Sequence, residues 1–269
     1  MVMSGWAAIF RLMSEVLLSL KSVDRNFGGV QAVNQLSFEI RAGEIVGLIG
    51  PNGSGKSTSV NLISGALPVS AGSIEFAGRW INGLPQSERV GLGMARTFQT
   101  TSVFAEFTAL EQVQTACHSR FRSNPWTAVF RQRSGVQEEM HQQRKAQEIL
   151  RFVGLDTVAG QACGTLSSAQ QRLLMIATAL AAEPRLVLLD EPAAGMVASE
   201  RKDLAALIRG IRDRGIAVLV IEHHMGLIME VCERIVVLNF GRKIAEGTPI
   251  EIQTNPEVIQ AYLGGTVDA

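Results

Sequence analysis

The hydrophobic and polar positions divide the chain into two kinds of extended segment with helical stretches between them. Short apolar runs at 44–49, 186–190, 216–222 and 234–239 have almost no polar interruption, the pattern of strands buried on both faces. Runs at 17–23 and 36–40 alternate apolar with polar side chains, as half-buried strands do. Residues 73–76 and 94–99 are expected to be extended as well. Helical spacing begins at Ser57 and stops near Gly65, resumes after Leu166, and covers 199–213, 249–253 and 256–262. Buried strands separated by helices predict an α/β fold with a mostly parallel sheet covered on both sides.

Two segments depart from that rhythm. Trp6, Ile9, Phe10 and Met13 fall at helical spacing and predict a short amphipathic helix. It reads as a helix docked on its own domain or, alternatively, as a membrane-surface or partner contact, with only Arg11 nearby to favour an anionic surface. From Thr108 to about Arg151 the chain turns polar and helical, with Arg120, Arg122, Arg131 and Arg133 interleaved with Phe121, Trp126 and Phe130. Such interleaving can bind single-stranded nucleic acid, but a solvated helical insert, partly packed on the core, is the reading preferred. The overall charge favours the insert: 25 basic residues balance 25 acidic ones, and no nucleic-acid partner is expected. The 269 residues, 46% of them hydrophobic, suffice for one large domain or two intimate ones. Cys117, Cys163 and Cys232 are too scattered for a metal-binding pattern and are expected to be buried thiols. No apolar run reaches the ~20 residues that span a bilayer. The start of the chain has no signal-peptide pattern. A cytoplasmic location is therefore expected, with any membrane spanning left to other chains.

The apolar run 44–49 enters Gly50-Pro51-Asn52-Gly53-Ser54-Gly55-Lys56-Ser57, followed by Thr58. This is the full G-x-x-x-x-G-K-[ST] phosphate loop between a strand and a helix. The glycines let the backbone approach an anion closely. Successive N–H groups and the positive end of the helix then face the phosphates. Lys56 is expected to neutralise the terminal phosphates of ATP and Ser57 to offer its hydroxyl to Mg²⁺. A second run ends in Asp190-Glu191-Pro192. Adjacent strand residues point to opposite faces, so the two acids can take separate tasks. Asp190 is expected on the Mg²⁺ side, with Glu191 as the general base that positions water. Leu166-Ser167-Ser168-Ala169-Gln170 by itself is a helix capping box.

Taken in order, these elements resemble ABC transporter ATPases. Gln99 of Arg-Thr-Phe-Gln matches the family's Q-loop glutamine, 166–170 its signature, His223 its switch histidine and Phe27 the aromatic that stacks on adenine. FGGVQAV, RTFQ, LDEPAAG, IEHHM and the PEVIQAYLG ending narrow the likeness to ATPases that import branched-chain amino acids, urea or related amides. The resemblance implies a P-loop NTPase core with an N-terminal antiparallel β subdomain and a helical subdomain inserted at about 100–180. The ABC domain would cover 17–264, after a 1–16 extension and before a 265–269 tail. It implies ATP and Mg²⁺ as ligands. Phe27 would hold adenine, Gly50 to Thr58 the phosphates, Ser57, Gln99 and Asp190 the metal, and Lys56, Glu191 and His223 would act in hydrolysis. Ser167 would meet the nucleotide. The implied partners are two membrane permeases, a second and different ATPase subunit and, indirectly, an extracytoplasmic solute-binding protein. The implied place is the cytoplasmic face of the inner membrane.

Three positions, in two places, depart from the family. Ser168 and Ala169 stand where the signature has glycines, and Val197 where Asp or Asn is usual. In the family the signature of one subunit closes over ATP held by the other, so these changes are expected to weaken the partner's site and leave this chain's own residues intact. The alternatives are an ABC ATPase driving a non-transport machine, or a weakly active regulatory subunit.

Overall fold

The computed structural model describes residues 15–97, 103–118 and 134–263. The expected helix at 6–13, Gln99, the aromatic and basic residues of 120–133, and the 265–269 tail lie outside the described residues.

A long hairpin opens the described chain. β1 (Val16–Phe27) pairs antiparallel with β2 (Val30–Arg41) and, on its other edge, with β4 (Ala71–Phe76), which in turn pairs with β5 (Arg79–Trp80). The four strands form one antiparallel sheet in the order β2-β1-β4-β5. Both hairpin strands run further than the alternation at 17–23 and 36–40 indicated. Register shifts along β1 break the strict two-residue period, and a bulged strand loses its alternation without losing its pairing.

The second sheet holds β3 (Ile45–Ile49), β6 (Met94–Arg96), β7 (Leu186–Asp190), β8 (Ala217–Ile221), β9 (Arg234–Asn239) and β10 (Arg242–Gly247). Its order is β10-β9-β3-β8-β7-β6. Every neighbouring pair is parallel except β10 with β9. All residues of β3, β7 and β8 are buried. Their side chains alternate between two apolar cores. Ile45, Ile49, Val187, Leu189, Val218 and Val220 join a core shared with the helices. Val46, Leu48, Leu186, Leu188, Leu219 and Ile221 join one shared with the antiparallel sheet. The continuous apolar runs in the sequence follow from this two-sided burial.

Helices α1 (Lys56–Ser64) and α2 (Gln86–Gly91) belong to the first half of the chain. α3 (Ala109–His118), α4 (Ser134–Phe152) and α5 (Ser168–Ala181) form the helical insert. The insert shares the sheet's core, since Val113, Leu150 and Leu174 cluster with Leu189 and Val220. α6 (Ala198–Asp213), α7 (Met225–Val231), α8 (Pro249–Thr254) and α9 (Pro256–Leu263) complete the fold. Among the described residues no helix is long and apolar enough to cross a membrane. All three cysteines are free and buried, and burial pushes the Cys232 thiol up to about 12.

One charged side chain lies inside the joint between α1, the loop after β5 and α2. Arg89 is 2% exposed. Its guanidinium donates to the carbonyls of Leu62 and Ile63 at 2.7 Å each, Leu84 at 2.9 Å, Ile81 at 2.6 Å and Asn82 at 3.3 Å. These include carbonyls at the C-terminal end of α1, where cations are favoured. Each buried acceptor left without a donor costs about 1–3 kcal/mol. Arg89→Met is therefore expected to lower the unfolding free energy by roughly 3 kcal/mol or more, read from the shift of the urea midpoint.

Candidate functional site

The ends of three buried strands set the site. Leu48 pairs with Ile221, and Ile221 pairs with Asp190. Gly50, Glu191 and Glu222 therefore leave the sheet along one edge. From β3 the chain turns through the glycine-rich loop into α1. Gly50 has φ 150° and Gly55 φ 101°, values open to glycine and strained for other residues. A Cβ on Gly50 would lie 2.1 Å from the Leu238 carbonyl oxygen, and one on Gly55 2.6 Å from that of Ala32. The loop is thus wedged between β9 and β2. Ser54 is buried, its N–H donates to Pro51 at 3.2 Å, and its carbonyl accepts from Gly241 at 3.0 Å.

Lys56 turns back over this loop. Its ammonium donates to the carbonyls of Gly50 at 2.7 Å and Pro51 at 2.9 Å, and to Ser54 Oγ at 3.4 Å. Burial lowers its pKa from the usual value, and the Glu191 carboxylate partly opposes that. A cleft of about 220 Å³ runs from Ala32 past Asn52 to Thr58 and reaches Glu191, Glu222 and His223. The sequence-expected Gly53, Ser54, Gly55, Lys56, Ser57, Glu191 and His223 thus share one cleft.

Glu191 stands at φ 49°, a left-handed conformation that a non-glycine residue holds only under constraint. Its N–H donates to Ile221 O at 2.9 Å, and its own carbonyl accepts from Arg172 of α5 at 3.2 Å. His223 is 57% exposed at its side chain, and its ring lies 4.5 Å from that of His224. The turn carrying both is held by Glu222, which the sequence pattern did not single out. Glu222 is 1% exposed and accepts from the N–H groups of Ala193 at 2.7 Å, His223 at 3.1 Å and His224 at 3.3 Å. One buried carboxylate therefore ties the loop after Glu191 to the loop of His223. Its signal was an acid ending an apolar strand, the same as for Asp190. Ligand atoms of Glu222, His223 and His224 lie within 4.8 Å of one another, but the carboxylate is already engaged by these three donors.

Asp190 is 6% exposed and does not line the cleft. Its Oδ2 accepts from Arg96 at 2.8 Å. The donor set nonetheless fits a hard divalent cation, since Ser57 and Asp190 both offer oxygen. Phe27, at the end of β1, is 43% exposed and lies outside the cleft lining, with the Arg25 guanidinium 4.5 Å from its ring centre. Ser167 is the N-cap of α5 in a complete capping box with Gln170. Tyr262 of α9 is a further residue the sequence did not mark: burial raises its phenol pKa, and the Gly50 backbone opposes that.

A strand, a glycine-rich turn and a helix start of this build hold the phosphates of a nucleoside triphosphate, which places the protein among phosphate-loop ATPases. The family model for "ABC transporter" matches residues 33–194. That for "Branched-chain amino acid ATP-binding cassette transporter" matches 242–268. The chain belongs to the ABC transporter family of ATP-binding cassettes. It is 39% identical to the high-affinity branched-chain amino acid transport ATP-binding protein BraF of Pseudomonas aeruginosa, over 94% of this chain and 99% of that protein. It is 37% identical to the corresponding protein LivG of Escherichia coli over the same shares. It is also 33% identical to the lipopolysaccharide export system ATP-binding protein LptB of Acidithiobacillus ferridurans, over 94% of this chain and 98% of that protein. A nucleotide-free ATP-binding cassette from an ABC transporter superposes with a TM-score of 0.80 at 29% identity, covering 92% of this chain and 99% of that one. An ADP-bound cassette gives 0.80 at 28%, covering 93% and 100%.

The wedged loop yields a specific expectation. Gly50→Ala places a methyl against the Leu238 carbonyl, so the loop must move. ATP binding, followed by equilibrium titration with a fluorescent analogue, should fall about 100-fold or more, with a far smaller change in the urea midpoint.

Proposed function

We propose that this chain binds MgATP in the cleft between the phosphate loop and the loops of Glu191 and His223, and that its hydrolysis powers an importer of branched-chain amino acids or related amino acids and amides. The observation that carries the proposal is the meeting of Lys56, Glu191 and His223 in one cleft. The C-terminal match at 242–268 supports the import class over the export class represented by LptB. In this reading Gly50 to Thr58 cradle the phosphates, with Pro51 and Asn52 shaping the turn, and Phe27 stacks on adenine. Ser57 and Asp190, with Gln99, hold the cation. Mg²⁺, when bound with ATP, neutralises charge developing on the transferred phosphoryl group. Glu191 orients the attacking water and takes its proton. His223, anchored through Glu222, faces the terminal phosphate. The chain works at the cytoplasmic face of the inner membrane, beside two permeases and a second, different ATPase subunit, with a solute-binding protein delivering the cargo. Phe104 and Phe107 are 59% and 37% exposed with ring centres 5.0 Å apart, which supports them as a permease contact. Val103, in the same segment, packs on the core.

Within the altered signature, Ala169 is half-buried and packs against the core of the helical layer, whereas Ser168 is exposed and Val197 is 59% exposed. The expected weakening of the partner's site therefore rests on Ser168 and Val197. Val197→Asp is expected to raise ATP turnover of the assembled complex a few-fold, the effect of about one hydrogen bond, while Ala169→Gly leaves turnover unchanged. Steady-state phosphate release from the two variant complexes checks this.

The proposal as a whole is tested with Glu191→Gln, which should retain ATP binding and lose about 100-fold or more of hydrolysis. Extraction of the tagged variant from native membranes with mild detergent and ATP should bring two multi-helix permeases and a second ATPase. Recovery of soluble proteins or nucleic acid alone overturns the importer reading.

A further inference from the structure

Asp190 is held at two points by consecutive residues, Arg96 at the end of β6 and Thr97 just after it. The Thr97 hydroxyl accepts from its N–H at 3.3 Å, and the Thr97 N–H donates to Leu188 O at 3.0 Å. Arg96 holds the carboxylate itself, through Nη2 to Oδ2 at 2.8 Å. The same guanidinium reaches α1, where Nη1 donates to Asn61 Oδ1 at 2.7 Å and Ser64 Oγ at 3.1 Å. The arginine and aspartate side chains are 12% and 6% exposed.

A planar guanidinium holds several acceptors in a fixed fork, which a lysine ammonium cannot reproduce. Here the fork spans two elements of the site. One arm holds the helix that begins with Lys56 and Ser57. The other holds the carboxylate at the end of β7, one residue before Glu191. Among the described residues Arg96 takes up Oδ2 and not Oδ1. A buried carboxylate left without its guanidinium partner is no longer favoured in that position and swings toward water. That movement takes an oxygen donor from the cation's side of the site.

We propose that Arg96 is a positioning residue for the metal-bound nucleotide: it fixes the Asp190 carboxylate relative to the phosphate-loop helix, so that Ser57 and Asp190 address one cation together. This rests on the proposed role of Asp190 toward Mg²⁺. Arg96 touches neither nucleotide nor metal; it acts through Asp190.

The test measures ATP affinity with excess EDTA and with saturating Mg²⁺, in full-length protein carrying Glu191→Gln to prevent turnover. The ratio of the two affinities isolates the metal's contribution from general damage to the fold. Arg96→Met is expected to leave the metal-free affinity within about 3-fold and to reduce the Mg²⁺ enhancement about 10-fold or more, with Arg96→Lys recovering only part. The double substitution Asn61→Ala with Ser64→Ala keeps the Asp190 pair and frees the other arm. It should reduce the enhancement by a smaller factor, and it serves where Arg96→Met does not fold. Asp190→Asn separates the two readings. Loss of the enhancement in Asp190→Asn but not in the Arg96 or double variants overturns the role of Arg96. No loss in Asp190→Asn overturns the reading of Asp190 on which it rests. An equal fall in affinity with and without Mg²⁺ in Arg96→Met also overturns the proposal, because a purely structural role acts on both.

Discussion

The in-register parallel pairing of β3, β8 and β7 is the constraint on which the rest of the molecule depends. Five residues in each strand are buried on both faces, and their backbone groups have no water to turn to, so the ladder must be complete. A slip of one residue would exchange the side chains facing the two cores. The register therefore cannot drift, and the strands end at one level. The groups that line the cleft sit just past that level: the phosphate loop after Ile49, Glu191 after β7, and Glu222 and His223 after β8. A rigid apolar sheet thus aligns polar groups that are more than a hundred residues apart in sequence.

Beyond the strand ends, buried polar side chains set the loops. Glu222 gathers three backbone N–H groups from two loops. Arg96 joins α1 to Asp190. Arg89 closes the carbonyls at the end of α1. Each sits where an unpartnered charge would be costly, so each geometry is enforced by the penalty for breaking it. Glu191 is the exception that carries strain, at φ 49°. It is held there by its neighbours, through Ile221 on one side and Arg172 of the helical insert on the other. The second contact ties α5, which begins in the signature segment, to the residue proposed to activate water.

Much of the fold was legible in the chain. The apolar runs at 44–49, 186–190 and 216–222 gave strands β3, β7 and β8 to within a residue or two, because two-sided burial leaves a continuous hydrophobic signature. The glycine-rich loop was legible because anion binding demands glycine at fixed spacing. The hairpin of β1 and β2 was only half visible, since its bulges and exposed residues blur alternation. Ala169 shows the other limit: as a letter in a motif it is only a departure from glycine, and its half-buried packing against the helical layer is visible only in the structure.

The sequence by itself determined the class of fold, the phosphate loop, the two acids at the end of β7 and the histidine after β8, because local periodicity and motif spacing encode them directly. Tertiary structure alone decided strand order and which distant residues meet. Arg96 with Asp190 spans 94 positions and Glu222 with Ala193 spans 29. No local pattern records such pairs. They arise when burial removes water from a charged group and leaves the nearest partner in space, wherever it lies in the chain, as the one that can satisfy it.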